Sequence, residues 1–307
     1  MSAIEVTKLA TYSGHKDCIY TVIQGIEPNV FFTASGDGLV VKWDLENPNQ
    51  GEVFAQVPHS VYALCIDKNT ETLLIGENFM GLHFIDLKDK KQTKSLKITD
   101  SNIFDIATTE KLLIFACGDG KVIVIDKYNA TILKTIQATE QSARCLAIDN
   151  NTLTVGYSDH TIRFYQLDTF ELTQTLKEHT NSVFSIGYNP DNSQLISSGR
   201  DAQLKIWNIS TKVQLYKSIP AHLFAINHIC FSPDGKLLAT CSMDKTIKIW
   251  DVDNYALLKV VDKSRHAGHV TSINKIMWTT FENTLISVSD DRTISTWKLD
   301  HKIKNIK

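Results

Sequence analysis

The residues whose types and spacing could support chemistry are four histidines, each followed at a fixed distance by an aspartate. The aspartate lies 22 residues after the histidine, and a serine or threonine lies four residues before the aspartate. The four sets are His15, Thr33 and Asp37; His179, Ser197 and Asp201; His222, Thr240 and Asp244; and His269, Ser287 and Asp291. These residue types form hydrolytic triads, so a hydrolase is one interpretation. An active site occurs once in a chain, whereas this set occurs four times, which favours a structural role.

A tryptophan follows each of these aspartates by six residues. The four tryptophans are Trp43, Trp207, Trp250 and Trp297. A buried indole N–H and a buried hydroxyl need hydrogen-bond partners, and a buried carboxylate needs a donor. The histidine, hydroxyl, aspartate and tryptophan of each set could therefore satisfy one another.

Other chemical signals are weak. Six cysteines stand at positions 18, 65, 117, 145, 230 and 241, without a C-x-x-C pair, so we expect reduced, buried thiols. His266 and His269 have a spacing that could bind a metal, but His269 already belongs to a set. The sequence has no phosphate-binding loop, zinc-protease motif or nucleophile elbow. We expect no catalytic residues, no metal and no cofactor.

Composition excludes several classes of protein. The chain has 307 residues, a formal net charge of -2, 43% hydrophobic and 21% charged residues. This composition is that of a globular protein, and the charge balance does not favour nucleic acid or anionic membranes. The longest apolar run, residues 112–117, is too short to span a bilayer, and the first residues lack a signal-peptide pattern. We expect a cytoplasmic protein.

One pattern of short strands recurs along the chain. Each copy ends in a bulky ring or in Ile-Asp, and successive copies are 40 to 47 residues apart. The end positions are 43, 85, 125, 165, 207, 250 and 297. Alternating apolar and polar residues, as in 245–250, indicate strands, and motifs such as Gly36-Asp37-Gly38 indicate turns. Seven units of four short antiparallel strands predict an all-β, radially repeated fold, a β-propeller.

Residues 4–299 resemble the tryptophan-aspartate (WD) repeat β-propeller family. The resemblance rests on the four histidine, hydroxyl, aspartate and tryptophan sets and on the dipeptides Gly14-His15, Gly268-His269, Trp43-Asp44 and Trp250-Asp251. It implies a seven-bladed β-propeller in which each set forms a buried hydrogen-bond network. It also implies that peptides bind on the face where the innermost strands reach the channel mouth.

The two ends of the chain are expected to close the ring. Unit seven supplies strands at about residues 270–278, 284–289 and 293–298, and an N-terminal strand at about 5–11 is left over. Pairing that strand with the last blade would complete the sheet and leave no open edge between blades. We therefore expect one domain over residues 1–299, followed by a short basic tail at 300–307.

Units two, three and four depart from the pattern. They lack the tryptophan and the histidine, and Phe79 replaces the aspartate of unit two. His59 is two residues out of register, which indicates a loop residue rather than a network member. One interpretation is that apolar packing replaced the polar network. The other is that residues 59–176 form a softer sector that offers a partner surface.

One register of the innermost strands suggests a binding site. The residue after the first apolar residue of each strand is Tyr20, Tyr62, Phe104, Arg144, Phe184, Asn227 or Asn274. Aromatic rings and arginine are typical of interface hot spots, so the first five are predicted to bind a partner. The alternative is that these rings pack against neighbouring blades.

A second register lies just before the turn aspartate or its equivalent. It contains Gly36, Asn78, Gly118, Ser158, Arg200, Met243 and Asp290. Arg200 together with Arg144 could bind an acidic or phosphorylated segment, although both side chains could also simply be solvated.

The sequence therefore favours a monomeric, non-catalytic interaction scaffold or adaptor that binds a protein or peptide segment at the channel mouth. A ribosome- or RNA-associated propeller is the first alternative. An enzyme with its site in the central funnel is the second, but it needs carboxylates, histidine or a metal near the axis. The inner-strand positions identified here are aromatic, arginine and asparagine.

Overall fold

The computed structural model describes residues 3–302 and consists of short strands joined by tight turns. Its 28 strands form seven sheets of four antiparallel strands each. Each sheet is one blade, with its first strand innermost and its fourth strand outermost. The all-β, seven-bladed propeller predicted from the repeats is confirmed.

The first three blades follow the N-terminal strand in chain order. Blade one contains β2 (Ile19–Gln24), β3 (Val30–Ser35), β4 (Leu39–Asp44) and β5 (Glu52–Gln56). Blade two contains β6 (Val61–Asp67), β7 (Thr72–Glu77), β8 (Gly81–Asp86) and β9 (Gln92–Leu96). Blade three contains β10 (Ile103–Thr108), β11 (Leu112–Cys117), β12 (Lys121–Asp126) and β13 (Ile132–Gln137).

Blades four to six repeat the same meander. Blade four contains β14 (Ala143–Asp149), β15 (Thr152–Tyr157), β16 (Ile162–Gln166) and β17 (Leu172–Leu176). Blade five contains β18 (Val183–Tyr188), β19 (Gln194–Gly199), β20 (Gln203–Asn208) and β21 (Gln214–Pro220). Blade six contains β22 (Ile226–Phe231), β23 (Leu237–Ser242), β24 (Ile247–Asp251) and β25 (Leu257–Val261).

Blade seven is built from both ends of the described chain. It contains β26 (Ile273–Trp278), β27 (Leu285–Ser289), β28 (Thr293–Lys302) and, as its outermost strand, β1 (Ala3–Ser13). The strands β1 and β28 pair antiparallel over their whole length. Both are longer than expected, so residues 300–302 of the expected tail belong to a strand, and the rest of that tail lies outside the described residues.

The core lies between neighbouring blades. Phe32 of blade one and Val61 of blade two, for example, share one buried cluster. At the closure, Ile286 of blade seven packs in one cluster with Phe31 and Trp43 of blade one. Burial of this apolar surface stabilises the ring, and each blade contributes to two such interfaces.

A single helical turn, α1 (Lys263–His266), connects blades six and seven, and the Asp262 side chain caps it by accepting a hydrogen bond from the Arg265 backbone N–H. Among residues 3–302, no helix is long and apolar enough to cross a membrane.

Candidate functional site

The four sequence-predicted sets come together as hydrogen-bonded networks, as blade five illustrates. The Trp207 indole Nε1–H donates to Ser197 Oγ at 2.8 Å. His179 Nε2 lies 2.7 Å from the same oxygen, and His179 Nδ1 lies 2.8 Å from Asp201 Oδ2. The corresponding atoms of blades one, six and seven are 2.7 to 3.3 Å apart.

The protons of this network can be assigned from its contacts. Ser197 Oγ accepts the indole hydrogen, so its own hydrogen is directed to His179 Nε2, and Nδ1–H then donates to Asp201. Aspartate, histidine and hydroxyl thus stand in the order of a hydrolytic triad. Ser197 is nevertheless fully buried and its hydrogen bonds are occupied, so the network holds the blade together.

Blade two keeps an acid–histidine network at shifted positions. The buried Glu77 carboxylate accepts a hydrogen bond from the His59 backbone N–H at 2.9 Å and contacts His59 Nδ1 at 2.8 Å. Its other oxygen lies 2.6 Å from His83 Nε2, and His83 Nδ1 lies 2.9 Å from Ser95 Oγ. His59 lies in a loop, as expected, but the expectation that it is not a network member was wrong. The fixed spacing of 22 missed this pair, because here the histidine and the acid are 18 residues apart.

Blades three and four pair the turn aspartate with a basic residue. Lys121 Nζ donates to Asp119 Oδ2 at 2.6 Å, and Arg163 NH2 donates to Asp159 Oδ2 at 2.7 Å. The Arg163 guanidinium also lies 4.6 Å from the centroid of the Tyr157 ring. Apolar packing therefore replaced only part of the network: Phe115 and Val155 are fully buried in place of the hydroxyl, but the acid still has a partner.

A β-bulge places the predicted partner-binding residues at the channel. In blade three, Ile103 pairs with Cys117 and Asp105 pairs with Ala116, so Phe104 is left without a cross-strand partner. The same register shift occurs at this position in all seven innermost strands. A bulge redirects side chains, so the extra residue and the one after it can both face the channel.

Five of these bulge residues contact one another in a continuous line, which we call the mouth cluster. It consists of Tyr20, Tyr62, Phe104, Arg144 and Phe184. The Tyr20 and Tyr62 rings meet edge to face at 4.6 Å between centroids, and Tyr62 stacks on Phe104 at 5.7 Å. The Arg144 guanidinium lies 3.8 Å from the Phe104 centroid and 4.8 Å from the Phe184 centroid.

The mouth cluster lines one cavity of about 670 Å³ together with residues from all seven innermost strands. All five side chains are half-buried, so each ring packs against its neighbours and also faces the cavity. The four rings therefore pack against neighbouring blades, as the alternative predicted, and the binding of a partner stays a prediction.

The remaining two bulge residues connect blades. Asn227 Nδ2 donates to the Ile273 carbonyl at 2.9 Å, and Asn274 Nδ2 donates to the Ile19 carbonyl at 2.9 Å. Asn274 also donates to Asp290 Oδ1 at 2.6 Å. At the bulge position, aromatic and cationic residues thus occur only in blades one to five.

The second register is mixed in exposure. Asn78 is fully buried and accepts a hydrogen bond from the Ile103 backbone N–H at 3.0 Å, so it connects blades two and three. Arg200 is exposed in the turn between β19 and β20. Met243, in the equivalent turn of blade six, is 51% exposed.

Sequence reasoning missed a deeper polar layer of the channel. Asp105, His228 and Lys275 follow bulge residues directly and line the same cavity. An alternation of two predicts that only one residue of such a pair faces the channel, and the bulge removes that alternation. Burial raises the pKa of Asp105, although Lys275 and two backbone N–H groups oppose this rise. Burial, and then Lys275, lowers the pKa of His228 to about 3, which keeps its imidazole neutral.

An exposed apolar loop was also missed. Leu223 and Phe224 are 85% and 62% exposed in the connection between β21 and β22. The Phe224 carbonyl accepts a hydrogen bond from Ser242 Oγ, beside the turn that carries Met243. No strand pattern marks this surface, because the residues lie in loops.

The fold and its networks define the class of protein, a seven-bladed β-propeller in which four blades contain a network of histidine, hydroxyl, aspartate and tryptophan. Comparison with known families gives the membership. The family model described as WD domain, G-beta repeat matches residues 6–44, 170–208, 213–251 and 261–298. These segments make up half of the chain, and each ends just after the tryptophan of one of the four complete networks. The chain therefore belongs to this family.

Relatives are distant and much longer. Protein TOPLESS-RELATED PROTEIN 2 from Oryza sativa subsp. japonica is 30% identical over 99 residues, which are 31% of this chain and 9% of the relative. Protein groucho from Drosophila melanogaster is 22% identical over 204 residues, which are 62% of this chain and 28% of the relative. The chain thus matches only a small part of either protein.

Among solved structures, the crystal structure of the WD40 beta propeller domain of Doa1 superposes with a TM-score of 0.85. The match covers 95% of this chain and 97% of that chain, at 19% sequence identity. At this identity the likeness concerns the fold alone.

Proposed function

We propose that this propeller is a non-catalytic interaction scaffold that binds an extended segment of another protein at the channel mouth. Tyr20, Tyr62, Phe104 and Phe184 would provide the apolar contacts, Arg144 a charged contact and Arg200 a second charge at the rim. The observation that carries the proposal is the continuous mouth cluster, which bulges of five successive blades direct into one cavity.

The energetics of the mouth cluster support binding. Tyrosine and arginine are enriched among residues that dominate interface affinity, and half-buried rings lose little entropy when a partner covers them. The contacts among the five side chains hold them in place before any partner arrives. A segment of a few residues could therefore gain affinity without reorganising the ring.

The polar layer beneath the mouth bears on the funnel-enzyme alternative. Asp105, His228 and Lys275 supply a carboxylate, an imidazole and an amine near the axis. Asp105 is committed to the backbone N–H groups of Ile106 and Leu146, at 3.0 and 2.9 Å. A non-catalytic role fits this arrangement, in which the carboxylate joins blade three to blade four.

We also propose that the ring acts as a single domain and a monomer in the cytoplasm. All six cysteines carry free thiols, as a reducing compartment would require. The ribosome- or RNA-associated alternative predicts RNA binding that weakens steeply with salt, and a net charge of -2 gives it little support.

Quantitative capture from native lysate tests the proposed site. The variant Tyr62→Ala/Phe104→Ala removes two adjacent rings of the mouth cluster. The matched control Tyr128→Ala removes a tyrosine that is 75% exposed in the turn between β12 and β13, at the other end of the strands. We expect the double variant to lose captured proteins while the control retains them, both with cooperative unfolding. Retained capture by the folded double variant would overturn the site.

A further inference from the structure

The Arg144 side chain is held by its neighbours but has no anionic partner. It is flanked by Phe104 from blade three and Phe184 from blade five, at 3.8 and 4.8 Å from its guanidinium carbon to the ring centroids. Among residues 3–302, no carboxylate or carbonyl forms a hydrogen bond with this guanidinium. A guanidinium has five N–H donors in its plane, and contacts with aromatic rings satisfy none of them.

A second arginine reinforces the positive charge of this side of the mouth. Arg200 lies in the turn of blade five on the same face, and within the described part of the chain its guanidinium has no ion-pair partner either. Burial lowers the pKa of Arg144, and the positive charge of Arg200 acts in the same direction. The Cys145 thiol and the Tyr62 hydroxyl oppose this shift without reversing it. Two cations without an anionic partner thus lie on neighbouring blades, four and five.

Two aspartates lie on the opposite side of the ring. Asp17 and Asp290 flank Cys18, which donates its backbone N–H to Asp17 Oδ1 at 2.7 Å and its thiol to the Asp290 carbonyl at 3.7 Å. These groups belong to blades one and seven, across the ring from Arg144. Asp290 Oδ1 already accepts a hydrogen bond from Asn274, and Lys275 of blade seven lines the same cavity. The observation that favours an anion is therefore the unpartnered guanidinium of Arg144.

We propose that the mouth binds a peptide segment that carries an oxyanion group, a carboxylate or a phosphate, and places that group on Arg144 and Arg200. The inference rests on the proposed function, because it names the class of segment bound at the same cavity. The rings of the mouth cluster would contact the remaining part of the segment. The parallel N–H groups of a guanidinium can bind two oxygens of either a carboxylate or a phosphate. The chemistry that both groups share is therefore the oxyanion.

Binding of four degenerate decapeptide pools to the full chain tests this inference. Each pool has one fixed central residue: glutamate, phosphoserine, glutamine or serine. Wild type should retain the glutamate or the phosphoserine pool at least tenfold more than its uncharged counterpart. The preferred pool of the two identifies the anionic group.

Variants locate the effect. Arg144→Gln should reduce the preference severalfold, and so should Arg200→Gln, at an exposed residue. Arg144→Lys should retain only part of the preference, because lysine keeps the charge but not the planar fork. The matched control is Arg292→Gln, which removes the same charge from the equivalent turn of blade seven and should leave the preference unchanged.

The outcomes separate this inference from the proposed function. Equal retention of charged and uncharged pools, with loss in Tyr62→Ala/Phe104→Ala, would overturn the anion preference and leave the mouth as the binding site. An equal effect of Arg292→Gln would also overturn it, because the preference would then follow net charge. If no pool binds wild type, the proposed peptide-binding function itself is contradicted.

Discussion

The guanidinium carbon of Arg144 lies 3.8 Å from the centroid of the Phe104 ring, on the neighbouring blade. Such a cation–π contact contributes about 1 to 2 kcal/mol when it is partly shielded from water. It connects blades three and four at the channel and fixes the direction of the arginine side chain. The same contact therefore stabilises the packing of two blades and orients the arginine within the proposed binding site.

The hydroxyl of each network is predicted to contribute to stability. Ser197→Ala removes the atom that joins Trp207 to His179 and leaves a buried indole N–H without a partner. We expect a loss of about 1 to 3 kcal/mol in the free energy of unfolding. The control Ser13→Ala, at an exposed residue of the outer strand β1, should change it by less than about 0.5 kcal/mol. Urea denaturation measures both, and equal effects would contradict a buried network.

The shifted network of blade two gives a prediction for Glu77. Glu77→Gln keeps the size of the side chain but removes a charge that faces both His59 and His83. Hydrogen bonds to charged groups are stronger, so we expect a loss of about 1.5 to 3 kcal/mol in unfolding free energy. Glu71→Gln, exposed in the same blade, is the control. If both variants unfold at the same urea concentration as wild type, the network has no structural role.

Ring closure depends on the N-terminal strand. Deletion of residues 1–12 removes most of the outer strand of blade seven and the side chain of Tyr12, which is 1% exposed and contacts Phe31 and Trp43. We expect a large fall in melting temperature for the whole ring. Tyr12→Ala alone should cost about 3 kcal/mol, while Leu9→Ala, half-exposed on the same strand, should cost little. An unchanged melting temperature after the deletion would refute the closure.

Acid should destabilise the ring. Burial lowers the pKa values of His15 and His222 below the ordinary 6.5, so the unfolded chain takes up protons more readily as the pH falls below about 6.5. Burial alone would raise the pKa of Asp244, but its hydrogen bonds from His222, Thr246 and the Leu223 backbone hold it well below 3.8. Both depressed values contribute stability that is present at high pH and lost on acidification.

Calorimetry between pH 8 and pH 3.5 measures this dependence. The melting temperature should fall from about pH 6.5 downward. It should fall more steeply as the pH approaches 3.8, because aspartates of the unfolded chain then begin to take up protons. His222→Asn should show a shallower fall between pH 6.5 and pH 5. A melting temperature that rises on acidification would contradict buried neutral imidazoles.

Much of the fold was predictable because its polar networks repeat at fixed spacing. His269, Asp291 and Trp297 mark a blade as clearly in the sequence as in the structure, since a buried indole and carboxylate accept few alternative partners. The Glu77 network was missed because the same chemistry was reached from different positions. A buried carboxylate needs a hydrogen-bond donor, but the donor can come from different sequence positions in different blades.

The mouth cluster was predictable as a register but not as a surface. A period of two assigns Phe104 to one face and Asp105 to the other, yet a bulge brings both to the channel. The contact between Arg144 and Phe184 joins neighbouring blades and depends on how those blades pack together. Exposure of Leu223 and Phe224 depends on loop conformation, which hydrophobic periodicity does not describe.

Site-specific photo-cross-linking tests the central claim most directly. A benzoylphenylalanine at position 62 places the reactive group in the mouth cluster, and the same residue at position 216 replaces Tyr216, which is 61% exposed on the outer strand β21. In native lysate we expect a defined cross-linked partner from position 62, competed by the retained peptide pool, and none from position 216. Cross-links from position 216 with none from position 62 would show that the propeller binds through its rim and not through its channel.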